Sequence, residues 1–256
     1  MSNSQILNAQ LLNPQNCQDL INISPLSLWA RDTAGSHIID QAAKVLASQL
    51  GLETRQALTN NEQSLLERSA WVDRQILNLL AANPDAIGLE LHPGVSTRFH
   101  RLSSHLEWPR FRWADINSRK MHAFKQALLP VTDNYRSLGC DHCQGDLLVR
   151  AGWHAELPLI IVTENLAPDG PSMQLLLDLV VNARNAQSSP IHIIFTCQSK
   201  AELLCRSLPP TKLWASQLFR PKGISAAIAR MVRRCVAVLS GLENADNDWQ
   251  GVHCII

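Results

Sequence analysis

Two short apolar runs bracket a tight turn and a spacer of helical length, and few folds accept that order. The first run, residues 86–91, reads Ala-Ile-Gly-Leu-Glu-Leu and stops at His92-Pro93-Gly94. Short apolar runs bounded by turn residues read as buried strands. A helix is expected over about 97–106, with Ser96 or Thr97 as its N-cap, because a hydroxyl there can accept from the free N–H groups of the first turn. The second run, 111–116, leads through Asp115 to Asn117. Strand, glycine turn, helix, strand, acid is the nucleotide-binding half of a doubly wound α/β sheet. The turn lets a ligand approach the backbone, and an acid roughly 20 residues on takes ribose hydroxyls.

The rest of the chain keeps the alternation. Downstream, the pattern predicts a helix over 118–129 stopped by Pro130, a strand over 135–140 with Asp141 at its end, and a polar segment over 142–156. It then predicts a strand over 157–163 ending at Glu164, a helix over 172–184, a strand over 191–196, a helix over 223–240 and a last strand over 252–256. Residues 198–222 are ambiguous, with Pro209, Pro210 and Pro221 as breakers. Upstream, 1–24 reads as a partly ordered arm or short helix, 38–50 as a helix closed by Gly51, and a longer helix runs from Asn60-Asn61-Glu62 to about Ala82, ended by Asn83-Pro84. The expected architecture is α/β: a mostly parallel, doubly wound, Rossmann-like sheet in one compact unit over 84–256, preceded by an arm and helical cap over 1–83.

In such sheets ligands bind outside the carboxyl ends of the strands, near the point where strand order reverses. Those ends carry Gly94, Asp115 or Asn117, Asp141 and Glu164, which together mark a ligand cleft.

Composition removes several alternatives. A net charge of +1 over 256 residues gives no electrostatic case for nucleic acid or an anionic membrane. The apolar runs are far short of the ~20 residues a membrane span needs. The first 18 residues are polar and lack the pattern of an export signal. Seven cysteines, an odd number, read as reduced thiols in a cytoplasm. Cys140 and Cys143 form the only close pair, so no metal site is expected. Arg98 with Arg101, and Arg110 with Arg112, read as solvated helix and strand edges.

Four segments, in order, are similar to the leucine carboxyl methyltransferase family, and most to its tetracenomycin-type polyketide O-methyltransferases. Glu67-Arg68-Ser69-Ala70-Trp71-Val72-Asp73 resembles that family's Arg-Thr-x-x-x-Asp helix. Leu91-His92-Pro93-Gly94-Val95-Ser96-Thr97-Arg98-Phe99 resembles its Leu-Gly-x-Gly-x-Asp-Thr-Arg turn. Trp113-Ala114-Asp115-Ile116-Asn117, with Lys120 or Lys125 beyond, resembles its acidic second strand and basic helix, and the stretch from Pro158 to Leu166 its Pro-x-hydrophobic-Glu-Gly-Leu strand. The resemblance covers roughly 25–197 and implies a class I methyltransferase using S-adenosylmethionine (SAM) as cofactor.

By that resemblance Arg68 pairs with the methionine carboxylate of SAM, a task suited to a bidentate guanidinium, with Arg31 as a second contact. Gly94 faces the methionine part, Asn117 the ribose with Asp115 beside it, Asp141 the adenine amine, and Glu164 the cofactor end of the fourth strand. The sequence departs from the family where His92 replaces a glycine, Ser96 an aspartate and Asn117 an aspartate, so His92 would either block or stack on the cofactor. The implied activity is O-methylation of a small-molecule carboxylate or hydroxyl in secondary metabolism; the catalytic residue is not identified, and for a hydroxyl the candidate bases are His142 and His154, which otherwise read as surface histidines. Two other readings stay open. One is cyclisation of SAM to a four-membered amino acid with release of methylthioadenosine, and the other is a catalytically degenerate scaffold. A small-molecule partner, without nucleic acid or membrane, fits all three.

Overall fold

The computed structural model describes residues 25–31, 38–52, 54, 57–129, 132–140, 146–167, 170–186, 189–198, 208, 212–219 and 249–255. The expected arm over 1–24, the helix over 223–240, Asp141 and His142 lie outside the described residues.

Every run of alternating apolar character becomes a strand of one sheet. β1 (Ile87–Leu91), β2 (Arg112–Asn117), β3 (Tyr135–Gly139), β4 (Leu159–Thr163) and β5 (Ile191–Gln198) pair in parallel. β6 (Lys212–Phe219) and β7 (Trp249–Ile255) complete a seven-stranded sheet in the order β3-β2-β1-β4-β5-β7-β6. β7 runs antiparallel to both of its neighbours. The strand order reverses between β1 and β4. This is the doubly wound sheet expected from the sequence, with the reversed strand of the class I methyltransferase fold. β6 falls in the segment that the prolines made ambiguous, and β7 starts earlier than the expected 252.

Helices cover both faces. α1 (Gln41–Gln49), α2 (Asn60–Ala82), α3 (Arg98–Ser104) and α4 (Arg119–Leu128) share a core with Trp113, Ile160, Val162 and Ile194. α5 (Leu147–Arg150) and α6 (Pro171–Asn185) pack on the opposite face against Ile87, Leu89, Ile161 and Ile193. The short α5 lies in the segment that had no periodicity to reveal it. The N-terminal helices thus form one of the two covering layers: α2 crosses β5, β6 and β7. Trp71 of α2 sits against Gly251 of β7, where a Cβ would lie 2.6 Å from the indole Cζ3. Only a residue without a side chain lets helix and strand approach so closely.

The caps follow the local chemistry with two differences from expectation. The cap of α2 is Thr59, whose hydroxyl accepts from the Glu62 N–H while the Glu62 carboxylate accepts from the Thr59 N–H. Thr97 is the N-cap residue of α3, but its hydroxyl does not cap. It donates to the buried Asp40 carboxylate at 2.6 Å, a stronger partner than a backbone N–H. Ser96 accepts from the Arg98 N–H instead, at 3.2 Å.

No described helix is long and apolar enough to cross a membrane. Cys140, Cys197 and Cys254 are buried thiols.

Candidate active site

The alternation of strand residues places Glu90 and Asp115, partners in register on β1 and β2, side by side on the face under α1–α4. Glu164, just past the end of β4, joins them. Three acids on adjacent strands require counter-charges, and the helices above supply them.

Arg98, at the start of α3, is the hub. Its guanidinium donates to Glu90 and Glu164, and its Nε to Asp73 of α2 at 2.7 Å. Arg101, one turn on, takes the other Asp73 oxygen at 2.6 Å and Asp40 at 3.1 Å. Both arginines are buried, so the expectation of solvated edges fails for this pair. The reason is tertiary: α3 lies over the acidic strands, and its charged side faces inward. Burial alone would pull the Arg98 guanidinium down, but Glu90, Glu164 and Asp73 outweigh it and hold it well above its ordinary value. Arg110 behaves as expected, half-exposed and paired with Asp85 at 3.1 Å.

Asp115, expected beside the ribose-facing Asn117, turns into the sheet's covered face: its Oδ1 accepts from the Trp113 indole N–H at 3.0 Å and its Oδ2 from Tyr135 Oη at 2.6 Å and from Lys125 Nζ. The side chain lies within the sheet's covered face and is 1% exposed. Burial and the adjoining Asp115 push the Tyr135 phenol up, so it stays a donor.

Glu90 carries the imbalance of the cluster. Burial raises its carboxyl, Arg98 opposes that, and Asp115 and Glu164 add to it, leaving it at about 7. Its Oε2 accepts from Ser96 at 3.1 Å.

Among the described residues, buried polar atoms without a partner at this end of the sheet include Arg68 Nε, Asn117 Nδ2 and Thr163 Oγ1. Arg68 of α2 is 6% exposed, lies over Trp249 of β7 with its guanidinium carbon 3.9 Å from the ring centroid, and donates to Ser64 at 3.2 Å. Among the described residues its Nε has no partner. Burial, partly opposed by Glu164, lowers Arg68 to about 10, so it remains a cation at neutral pH. Asn117, ending β2, accepts from the Gly94 N–H at 3.1 Å, and its buried Nδ2 has no partner. Gly94 takes φ 58, a left-handed turn that favours glycine. His92 takes φ 49 in the same turn, and its Nδ1 meets the Ser172 hydroxyl of α6 at 2.8 Å. The ring therefore leans across the switch point between β1 and β4 towards α6.

Glu164 lies just past the end of β4, but it is engaged: the Ser69 hydroxyl donates to its carboxylate, 3.0 Å from each oxygen, alongside Arg98. Arg31, expected as a second contact, pairs with Glu62 in the first turn of α2 at 3.0 Å. His154 is corrected. It is exposed and lies in the loop from α5 into the start of β4, at the amino end of the sheet, opposite the cleft. The structure thus brings Arg68, His92, Gly94, Asn117 and Glu164 to one end of the sheet. Reading the sequence alone missed Glu90, Asp73 and Arg98. The lone acid in the apolar run 86–91 is the signal that could have found the first.

No protein-family model and no curated protein matches the sequence. Among solved structures, TrmN from Thermus thermophilus is similar at 18% identity over 71% of this chain, with a TM-score of 0.44. This chain spans about half the length of that protein, 47%. The N-methyltransferase NodS from Bradyrhizobium japonicum, in complex with S-adenosyl-L-homocysteine, is similar at 13% identity over 73% of this chain and 87% of its own, with a TM-score of 0.43. A SAM-dependent methyltransferase from Geobacter sulfurreducens is similar at 10% identity over 73% and 90%, with a TM-score of 0.41. All three scores lie below 0.5, so the assignment of the fold rests on the strand order and pairing described above.

Proposed function

We propose that the chain is an enzyme that binds SAM across the carboxyl ends of β1, β2 and β4 and transfers its methyl group to the oxygen of a small-molecule carboxylate or hydroxyl. The observation that carries this reading is the buried Arg68 guanidinium with an unpartnered Nε. A buried cation without an anion is costly, and a ligand carboxylate held by that fork removes the cost. The second orphaned donor, Asn117 Nδ2, suits a ribose hydroxyl, and the Gly94 turn leaves the backbone open to close approach. Two donors of the right type, one on α2 and one at the end of β2, fit the group.

Bound there, SAM supplies an electrophilic methyl on sulfur. This chain's residues do the rest: Arg68 orients the amino-acid end, Asn117 the ribose, and the Arg98–Glu164–Ser69 cluster fixes the wall between them. Orientation and exclusion of water account for much of such a rate enhancement. His92, bonded through Nδ1 to Ser172, borders the side from which an acceptor enters.

Calorimetry with the full chain tests the reading. S-adenosyl-L-homocysteine is expected to bind one to one, and Arg68→Met to weaken it at least tenfold. No heat at about 1 mM ligand, a concentration corresponding to only about −4 kcal/mol, ends the proposal. Incubation with SAM alone then separates methyl transfer from consumption of SAM without an acceptor, because only the latter releases methylthioadenosine.

A further inference from the structure

We propose that the β3 edge of the sheet carries a second binding site, for a small phosphate-bearing molecule, in the cavity between α4, β3 and the end of α5. The cavity measures about 440 Å³, within the range of roughly 300–1,000 Å³ that small-ligand sites occupy. Its walls include Gln126, Leu129, Arg136, Ser137, Leu138 and Arg150.

Its charge is the first argument. Arg136 lines the cavity, and its Nη1 donates to the Arg150 carbonyl oxygen at 3.0 Å, which fixes the guanidinium plane. A second guanidinium converges on the same turn. A Cβ at Gly152 would lie 3.5 Å from Arg112 Nη1 and 3.7 Å from Arg136 Nη1. Among the described residues neither arginine forms an ion pair. The carboxylate behind the wall, Asp115, is taken by Lys125 and Tyr135. Two like charges beside one turn, paired with no acid among the described residues, favour an anion, and planar forks suit phosphate oxygens.

Shape and position supply the rest. Leu129 and Leu138 offer apolar contact to an organic portion, as mixed small-molecule sites do. A long polyanion is disfavoured, because the site is concave and the chain's net charge is only +1. Tyr135 and Arg136 open β3 and Arg150 closes α5, so the site lies along the outer edge of the sheet, apart from the β1–β4 switch point. It is independent of the reading of the Arg68 cleft.

Titration of the full chain with pyrophosphate at constant ionic strength tests it, with citrate and a short single-stranded RNA as separate arms. The expected result is one-to-one binding of pyrophosphate, weakened at least tenfold by Arg136→Gln and by Gln126→Trp, which fills the mouth from the exposed side of α4. S-adenosyl-L-homocysteine binding should be the same in both variants as in the wild type. If Arg136→Gln alters the thermal midpoint, Gln126→Trp decides. No pyrophosphate binding at about 10 mM, binding that neither variant weakens, or tighter binding of citrate or RNA overturns the proposal.

Discussion

Arg68 and Trp249, from α2 and β7, form a cation–π contact with the guanidinium carbon 3.9 Å from the ring centroid. The ring covers one side of the cation and leaves its other sides for an anion. Trp249→Leu is expected to lower stability by about 1–2 kcal/mol, the scale of a partly desolvated cation–π contact. It should also weaken S-adenosyl-L-homocysteine, whereas Trp249→Phe keeps most of both. Urea unfolding and calorimetry on the two variants check this.

Arg98 neutralises three carboxylates at once, and its loss leaves Asp73, Glu90 and Glu164 facing one another under α3. Removing one partner of a buried ion pair costs roughly 3–5 kcal/mol. Arg98→Met is expected at or above that range in chemical denaturation. Arg98→Lys should restore little, because a single ammonium cannot span three carboxylates on separate elements.

Lys125 and Asp115 give the complementary test, since both are fully buried and bonded. Lys125→Met alone and Asp115→Leu alone each strand a charge. The double variant is expected to be more stable than either single one, as a buried pair often gives way to apolar residues at little cost. A double variant less stable than both singles would contradict the described geometry.

Glu90 gives a pH dependence with a defined sign. Its carboxyl lies at about 7 in the fold against an ordinary 4.5, so the folded state binds the extra proton between those values. That contribution to stability is full below about 4.5 and is lost as pH rises through about 7. Buried histidines work in the opposite direction: burial, with His192 adding to it, lowers His253 to about 4, and its contribution is lost as pH falls through that value. The difference between wild type and Glu90→Gln isolates the carboxyl. Urea midpoints at pH 5 and pH 8 should show the variant gaining stability relative to wild type at the higher pH.

Gly251→Ala places a methyl 2.6 Å from the Trp71 ring. Overpacking of this kind costs typically about 1–3 kcal/mol. The variant should unfold at lower urea, and Gly251→Ala combined with Trp71→Leu should recover part of the loss.

The sheet was legible because its strands announce themselves locally. Residues 86–91 and 157–163 are apolar runs closed by turn residues, and the structure places β1 and β4 there. β6 escaped notice because prolines flank it. Asn117 and Gly94 could be placed together from spacing alone, and the structure joins them by a hydrogen bond. Arg98 could not be read so. An amphipathic pattern assigns charge to solvent, and nothing local says that Asp73, 25 residues earlier, waits across the helix interface. For Asp115 the sequence offered Lys120 or Lys125 in the helix beyond it, and packing selects Lys125.

The reversed strand has a kinetic consequence. β6 touches the sheet only through β7. While a nascent chain emerges, the segment 212–219 has no ladder to join until 249–255 threads into the gap beside β5. Arg68 likewise lacks its indole until that moment. The parallel half, β1 to β5, can assemble first, and the cradle for an anion is finished only by the late arrival.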